Sequence, residues 1–223
     1  MTQQRPQLIP AAGYALLSPC YDAAIHLFMP ERAFRQALLT QAQLREGQHA
    51  LDVGCGTASF LAHASATYPE CDFTGLDGDP KILERARTKI GNTGANVVFE
   101  EGMSYALPFD ENHFDIVFST LMFHHLTKSD KRRSLEEIHR VLRPGGAFHI
   151  ADWGEARSLP MRTAYLAIQL LDGFETTADN VRGLLPSMMT AAGFESVAEQ
   201  KRFNTVFGTL SLYSGRKATK GPS

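Results

Sequence analysis

Short apolar runs alternate with stretches of helical spacing along most of this chain. His49–Val53, Phe73–Leu76, Val97–Phe99, Phe114–Phe118 and Ala147–Ile150 are brief and apolar, as strands covered on both faces of a parallel sheet are. Residues 57–68, 80–90 and 130–142 lie between them with helical spacing; in the last, Leu135, Ile138, Val141 and Leu142 share one face. The Arg-Pro-Gly-Gly sequence at 143–146 stops that helix and turns the chain into the next strand. Repeated β-α-β order predicts a doubly wound α/β sheet with helices on both faces. The final third reads differently. Residues 160–171 and 178–192 have helical patterns, and Phe194–Phe203 and Thr209–Arg216 read as strands whose short link permits only antiparallel pairing. Ahead of the first strand, residues 11–44 read as two helices split near Pro30, too short to fold alone and so packed over the domain. The expected organisation is a helical cap over 1–45, one domain over 46–217, and a frayed polar tail over 218–223.

Composition narrows the class. With 223 residues, 43% of them apolar, the chain suits one α/β domain with a full core. The formal charge of −2 leaves no basic stripe for nucleic acid. The densest cluster, Lys128 to Arg133, is broken by Ser129 and Asp130 and reads as the solvated start of a helix. Cys20, Cys55 and Cys71 fit no metal or redox spacing, which favours a reduced, cytoplasmic setting. Residues 1–10 are polar and do not resemble a signal peptide, and no apolar run approaches the ~20 residues of a membrane span. A soluble protein with no metal, no nucleic-acid partner and no integral membrane association is expected; self-association as a homodimer stays open.

The strongest chemical signal begins at Ala50, with Ala-Leu-Asp-Val-Gly-Cys-Gly-Thr-Ala. A strand runs into Gly54, Cys55 and Gly56, and a helix follows at once. Glycines let the backbone turn tightly and approach a ligand, which then meets free helix N–H groups. Dinucleotide enzymes use a similar turn, and a tight βα turn without a ligand is the plain alternative. Two details tilt the reading. Asp52 sits inside the strand, where burial of a carboxylate is costly unless it faces a cationic group such as an amine. Ser59 also stands where a dinucleotide fingerprint has its third glycine. The next strand ends at Gly-Leu-Asp-Gly-Asp-Pro, which puts Asp77 where an acid can accept from both ribose hydroxyls. Asp79 before Pro80 is equally well explained as a helix cap. Ligands of such sheets bind beyond the carboxyl ends of the strands, close to Met103, Ser104, Ser119, His124 and His125.

Taken in order, these motifs resemble the class I S-adenosylmethionine (SAM)-dependent methyltransferases, in particular the branch related to ubiquinone and menaquinone biosynthesis. LDVGCGT resembles the first family motif and GLDGDPKIL the second; EGMSYALPF, FDIVFSTLMFHHL and LRPGGAF resemble later ones. Tyr21-Asp22 resembles a pair often carried on the N-terminal cap. The resemblance spans about residues 20 to 150, and the remainder matches only in its pattern of elements. It implies a Rossmann-like seven-stranded sheet, mostly parallel with an antiparallel C-terminal hairpin, that binds S-adenosyl-L-methionine. Gly54 and Gly56 would then approach the methionine part, with Asp52 aiding its amino group, Asp77 holding the ribose, and Met103 and Ser104 flanking the adenine. Tyr21, Cys55, Gly78 and Ser119 complete the implied cofactor set. Ala58 replaces a common glycine, and Met103 stands where an adenine-binding Asp is frequent. The thioether can only pack on the ring, so Ser104 or backbone must supply any polar contact.

The donor of such an enzyme carries an activated methyl, so transfer needs alignment more than acid–base chemistry. A base helps only an acceptor that must lose a proton. His124 and His125 are the candidates, and on an extended segment only one of them would face the acceptor. Capping of backbone or stacking on the cofactor is the plainer role for either. The Asn/Asp-Pro-Pro-aromatic signature of amide and adenine methylation is missing after the fourth strand, which points to a small aromatic, quinone-like or lipid-related acceptor. Tyr14, Trp153, Tyr165 and Gln169 are candidate acceptor walls, or ordinary core. Residues 1–30 are expected to order over the cofactor. A SAM-binding protein without turnover, and a dinucleotide oxidoreductase with a degenerate fingerprint, are the competing readings.

Overall fold

Alternation of side chains along the strands decides which faces need cover. The structure, a computed structural model, describes residues 31–93, 95–155, 163, 174–205 and 208–219. Helix α1 (Glu31–Ala42) is followed by β1 (His49–Val53), α2 (Ser59–Thr67), β2 (Asp72–Asp77), α3 (Pro80–Gly91), β3 (Val97–Glu101) and β4 (Phe114–Thr120). A 3-10 turn, Phe123–His125, leads to α4 (Lys128–Val141) and β5 (Leu142–Trp153). Then come α5 (Phe174–Val181), α6 (Leu185–Ala191), β6 (Glu195–Thr205) and β7 (Gly208–Arg216). Seven strands form one sheet in the order β3-β2-β1-β4-β5-β7-β6. The first five run parallel, and β7 lies antiparallel to both β5 and β6. The expected Rossmann-like sheet with its C-terminal hairpin is the observed one.

On β1, Ala50 turns to the face covered by α1, α2 and α3, where Phe34, Leu38, Phe60, Leu61 and Leu83 gather. Leu51 and Val53 turn to the other, where Leu135, Ile138, Met189 and Phe194 come from α4, α6 and the approach to β6. Full burial of each such side chain contributes about 1.5–3 kcal/mol, so α1 is held by Phe34, Leu38 and Leu39 as firmly as the helices between strands. Caps fall where the chemistry predicts. The Asp79 carboxylate accepts from the Lys81 N–H at 2.9 Å with Pro80 in the first turn of α3, and the Thr127 hydroxyl accepts from the Asp130 N–H to start α4.

Four expectations are corrected. Residues 178–192 are two helices: Gly183 takes φ 68° after α5, and Pro186 opens α6. Arg143–Gly146 does follow the end of α4, but it is drawn into the sheet as the start of β5, with a register slip between Phe114 and Ile116. Nor is Lys128–Arg133 evenly solvated: Lys128, Arg132 and Arg133 are exposed, while Lys131 is fully buried. Finally, His124 and His125 do not lie on an extended segment; they share the 3-10 turn. The helix read over 160–171 lies almost wholly outside the described residues, as does everything before Glu31.

Candidate functional site

The end of β1 is built for close approach. Gly54, Gly56 and Ala58 take φ of 73°, 53° and 59°, three left-handed residues in one short turn. At Ala58 that conformation costs about 1–2 kcal/mol, which the preceding glycines avoid. The turn is pinned to the neighbouring strand, since the N–H groups of Gly54 and Cys55 both donate to the Leu76 carbonyl. Met122 packs directly over Gly54, so a Cβ there would collide with its side chain. Asp77, at the end of β2, ties the two turns together. One of its oxygens accepts from the Gly56 N–H at 2.9 Å, the other from the Asp79 N–H at 3.0 Å.

Beside these groups lies a cavity of about 140 Å³, bordered by Gly54, Asp77, Gly78, Met103, Ser104 and Met122 among others. Its outer wall, the segment after β3, is fastened to α4. The hydroxyls of Ser104 and Ser134 lie 2.7 Å apart, Leu107 N–H donates to Glu137 at 2.8 Å, and Arg140 donates to the carbonyls of Leu107 and Phe109. The Ser104 hydroxyl is therefore already bonded, which leaves backbone groups as the simplest polar partners for a ring in this cavity.

Asp52 is fully buried, and neither of its carboxyl oxygens has a hydrogen-bond partner among the described residues. Burial pushes its carboxyl up to about 8; the Asp77 carboxylate adds to this, and Arg35 on α1 opposes it. An orphaned buried polar group costs about 1–3 kcal/mol. A ligand ammonium would offset that cost, and this is the observation on which the amino end of SAM fits the site. Two other predicted residues offer less. The Cys55 side chain packs in the core, and burial pushes its thiol up, so only its backbone is available. Ser119 is fully buried, and its hydroxyl donates to the Val53 carbonyl at 2.9 Å, which ties β4 to β1 and gives the cofactor no exposed polar atom.

A second arrangement stands at the ends of β4 and β5. His124 Nδ1 lies 2.8 Å from Asp152 Oδ1, and both residues are buried. Asp152 also accepts from the Trp153 N–H at 2.7 Å, from the His124 N–H at 3.4 Å and from Asn180 Nδ2 at 3.3 Å. Burial raises its carboxyl, but His124, the Trp153 N–H and Lys131 outweigh it, and the net direction is down. The ammonium of Lys131 donates to the Thr176 carbonyl and lies 3.8 Å from Asp179, so α5 is docked through buried polar contacts. The rings of His124 and His125 lie 3.9 Å apart, tilted by 43°. Burial and the neighbouring His124 push His125 down to about 3, so at neutral pH it carries no charge.

The structure thus brings Asp52, Gly54, Gly56, Asp77, Gly78, Met103 and Ser104 around one edge of the sheet, with His124 and His125 on the adjoining turn. Trp153 is 2% exposed, within the core cluster under α1, its ring 6.3 Å from that of His124 in an edge-on contact. Tyr14, Tyr21, Tyr165 and Gln169 lie outside the described residues. Sequence reasoning missed Asp152, Lys131, Asn180 and Arg35. For Asp152 a signal existed: like Asp52 and Asp77, it is an acid at the carboxyl end of an apolar strand.

Comparison with known proteins accords with this geometry. Residues 50–146 match a family of methyltransferase domains. The chain is 28% identical to the ubiquinone/menaquinone biosynthesis C-methyltransferase UbiE of Escherichia coli K12, over 93% of this chain and 87% of that protein. Among solved structures it resembles the YcgJ protein of Bacillus subtilis (TM-score 0.67, 18% identity, 82% of this chain and 97% of that one). It resembles a putative methyltransferase of Bacillus halodurans with TM-score 0.65 and 21% identity, over 83% of this chain and 99% of that one. The [4+2]-cyclase SpnF shares the fold as well, with TM-score 0.66 and 19% identity over 84% of this chain and 80% of that one. Residues 50–146 carry a methyltransferase domain, and the sheet around them has the fold of the class I SAM-dependent methyltransferases, whose cofactor is S-adenosyl-L-methionine.

Proposed function

We propose that this methyltransferase acts on a small aromatic or quinone-like acceptor that must lose a proton as it is methylated, with His124 as the base. SAM supplies an activated methyl on a sulfonium centre. The chain's own residues bind and orient. Asp52 would receive the donor's ammonium, Asp77 its ribose hydroxyls, and the segment around Met103 its base; the unpartnered Asp52 carboxyl and the cavity beside Asp77 and Met103 support this. The observation that carries the acceptor reading is the His124–Asp152 pair at 2.8 Å. A carboxylate on Nδ1 holds the proton there, makes Nε2 the basic nitrogen, and stabilises the imidazolium once Nε2 has taken a proton. An amine or thiol acceptor would need no such pair. The similarity to a C-methyltransferase of quinone biosynthesis supports a carbon acid or phenol as the reacting group. Cys55 and Cys71 are unpaired thiols, which supports a cytoplasmic setting.

The test is a titration with SAM and with NADH, followed by a screen of phenols, quinols and amines for uptake of the methyl group. SAM binding with turnover of phenols or quinols is expected. Turnover of amines alone would overturn the acceptor reading. SAM binding without turnover across the screen would favour a binding protein, and tighter binding of NADH would favour a dinucleotide enzyme.

A further inference from the structure

A second cavity, of about 740 Å³, lies between α1 and the strands β5, β6 and β7, and it shares no lining residue with the cavity beside Asp77. His149 of β5 and Gln41 of α1 both line it, and His149 is 4% exposed. The Gln41 side chain fixes the state of that ring. Its Nε2 lies 3.1 Å from the Tyr213 carbonyl, which can only accept, so this end of the amide is the donor. The same nitrogen lies 2.9 Å from His149 Nδ1, which therefore accepts, and the ring hydrogen sits on Nε2. Burial and Arg216 push His149 down to about 4, in keeping with a neutral ring at pH 7. A donor, His149 Nε2–H, and an acceptor, Gln41 Oε1, are left over. Both atoms are buried, and neither has a hydrogen-bond partner among the described residues. They flank a single 2.9 Å contact, so they are neighbours. Buried polar groups are normally paired, and a space this large exceeds what one bridging water fills. The charged residues of the lining are Lys201 and Arg216, with no carboxylate among them. Lys201 lies over the Phe203 ring at 5.1 Å and Arg216 donates to the Gly145 carbonyl at 3.3 Å, contacts that neutralise neither cation.

We propose that this cavity binds a small organic anion that carries a hydroxyl group, its carboxylates held by Lys201 and Arg216, its hydroxyl accepting from His149 Nε2 and donating to Gln41 Oε1. A hydroxyl is the smallest group that both donates and accepts, which is what the two buried orphans require of one partner. A carboxylate alone would satisfy His149 and leave Gln41 Oε1 facing another acceptor. An amine would be repelled by the two cations. Ala33, Ala37 and Ala147 are the small apolar members of the lining and leave room for the carbon frame, in a volume within the usual range of small-molecule sites. The site stands apart from methyl transfer and does not rest on the SAM reading above.

Calorimetric titration of the full chain tests this without turnover. The probes are citrate and tricarballylate, which carry the same three carboxylates and differ by the citrate hydroxyl alone. The wild-type protein should bind citrate about tenfold more tightly than tricarballylate, the gain expected when one hydroxyl completes two buried hydrogen bonds. Replacing both cations, Lys201→Met with Arg216→Gln, should weaken binding of both probes by about tenfold or more. His149→Phe, folded by its melting curve, should bind the two probes alike. Saturating SAM should change citrate affinity by less than about threefold, because the two cavities are separate. A wild-type protein that binds neither probe, or binds both equally, overturns the proposal whether or not a variant folds. So does a folded double variant that keeps its citrate affinity, or a His149→Phe protein that keeps the preference. Loss of citrate binding in saturating SAM would assign the probe to the other cavity and overturn it as well.

Discussion

Asp52 and Asp152 are both fully buried at the carboxyl end of the same sheet, on β1 and β5. Four N–H groups converge on Asp152, and it is held below the usual carboxylate range. Among the described residues no donor reaches Asp52, and it is pushed up to about 8. Depth is thus no guide to the charge of a buried acid; the count of donors is. The difference also separates roles. An acid whose partners are all protein groups positions other side chains, as Asp152 does His124. An acid left without partners is a socket that a ligand completes.

The largest effect should follow from turning the satisfied acid into a hole. Asp152→Ala leaves the buried N–H groups of His124, Trp153 and Asn180 without their shared acceptor and is expected to cost about 3 kcal/mol or more in denaturant unfolding. Asp52→Ala, which removes an acid with no partner, should cost far less, and equal losses would erase the contrast. His124→Asn should lower kcat by about 10²–10⁴ for a phenol or carbon acid, with SAM affinity unchanged. Retention of kcat within about threefold would mean that the site works by proximity alone. Smaller still, Asp77→Ala should weaken SAM binding by about tenfold without unfolding the protein, read by calorimetry beside a melting curve.

The subtlest test is pH. Asp52 has its folded value raised above its ordinary 3.8, so its contribution to stability is complete below about 4 and is lost as pH rises through about 8. Asp152 has its value lowered, so its contribution is present above the ordinary carboxylate range and is lost as pH falls through its native value. Cofactor-free protein should therefore be most stable in mildly acidic solution, by melting temperature against pH. Asp52→Asn should flatten the alkaline limb and leave the acid limb in place. If the alkaline limb persists in that variant, Asp52 is not its source.

Much of this was legible in the chain. The alternation of apolar runs and helical spacing located all seven strands to within a few residues at most ends, because each buried strand is bounded by a glycine turn, a cap or a change of period. The candidate edge stood out for a related reason: Asp52, Gly54, Gly56 and Asp77 are odd choices for strands and turns that only had to fold. What stayed hidden depends on packing between distant segments. Lys131 looks like one more solvated cation until Thr176 and Asp179 are brought over it from α5. The two histidines were misjudged because no local signal marks Phe123–His125 as a 3-10 turn rather than an extended run.

The placement of β7 has a consequence for how the chain is made. It sits between β5 and β6 and pairs with β5 from Ala147–Arg216 to Trp153–Leu210, so the strand that finishes the sheet is the last to leave the ribosome. Until then β5 is a long, apolar strand with one side unpaired, the kind of edge on which chains associate wrongly. A protein cut short before Gly208 would carry that edge permanently. Such a fragment should be lost to aggregation even though every motif for the cofactor is already present in it.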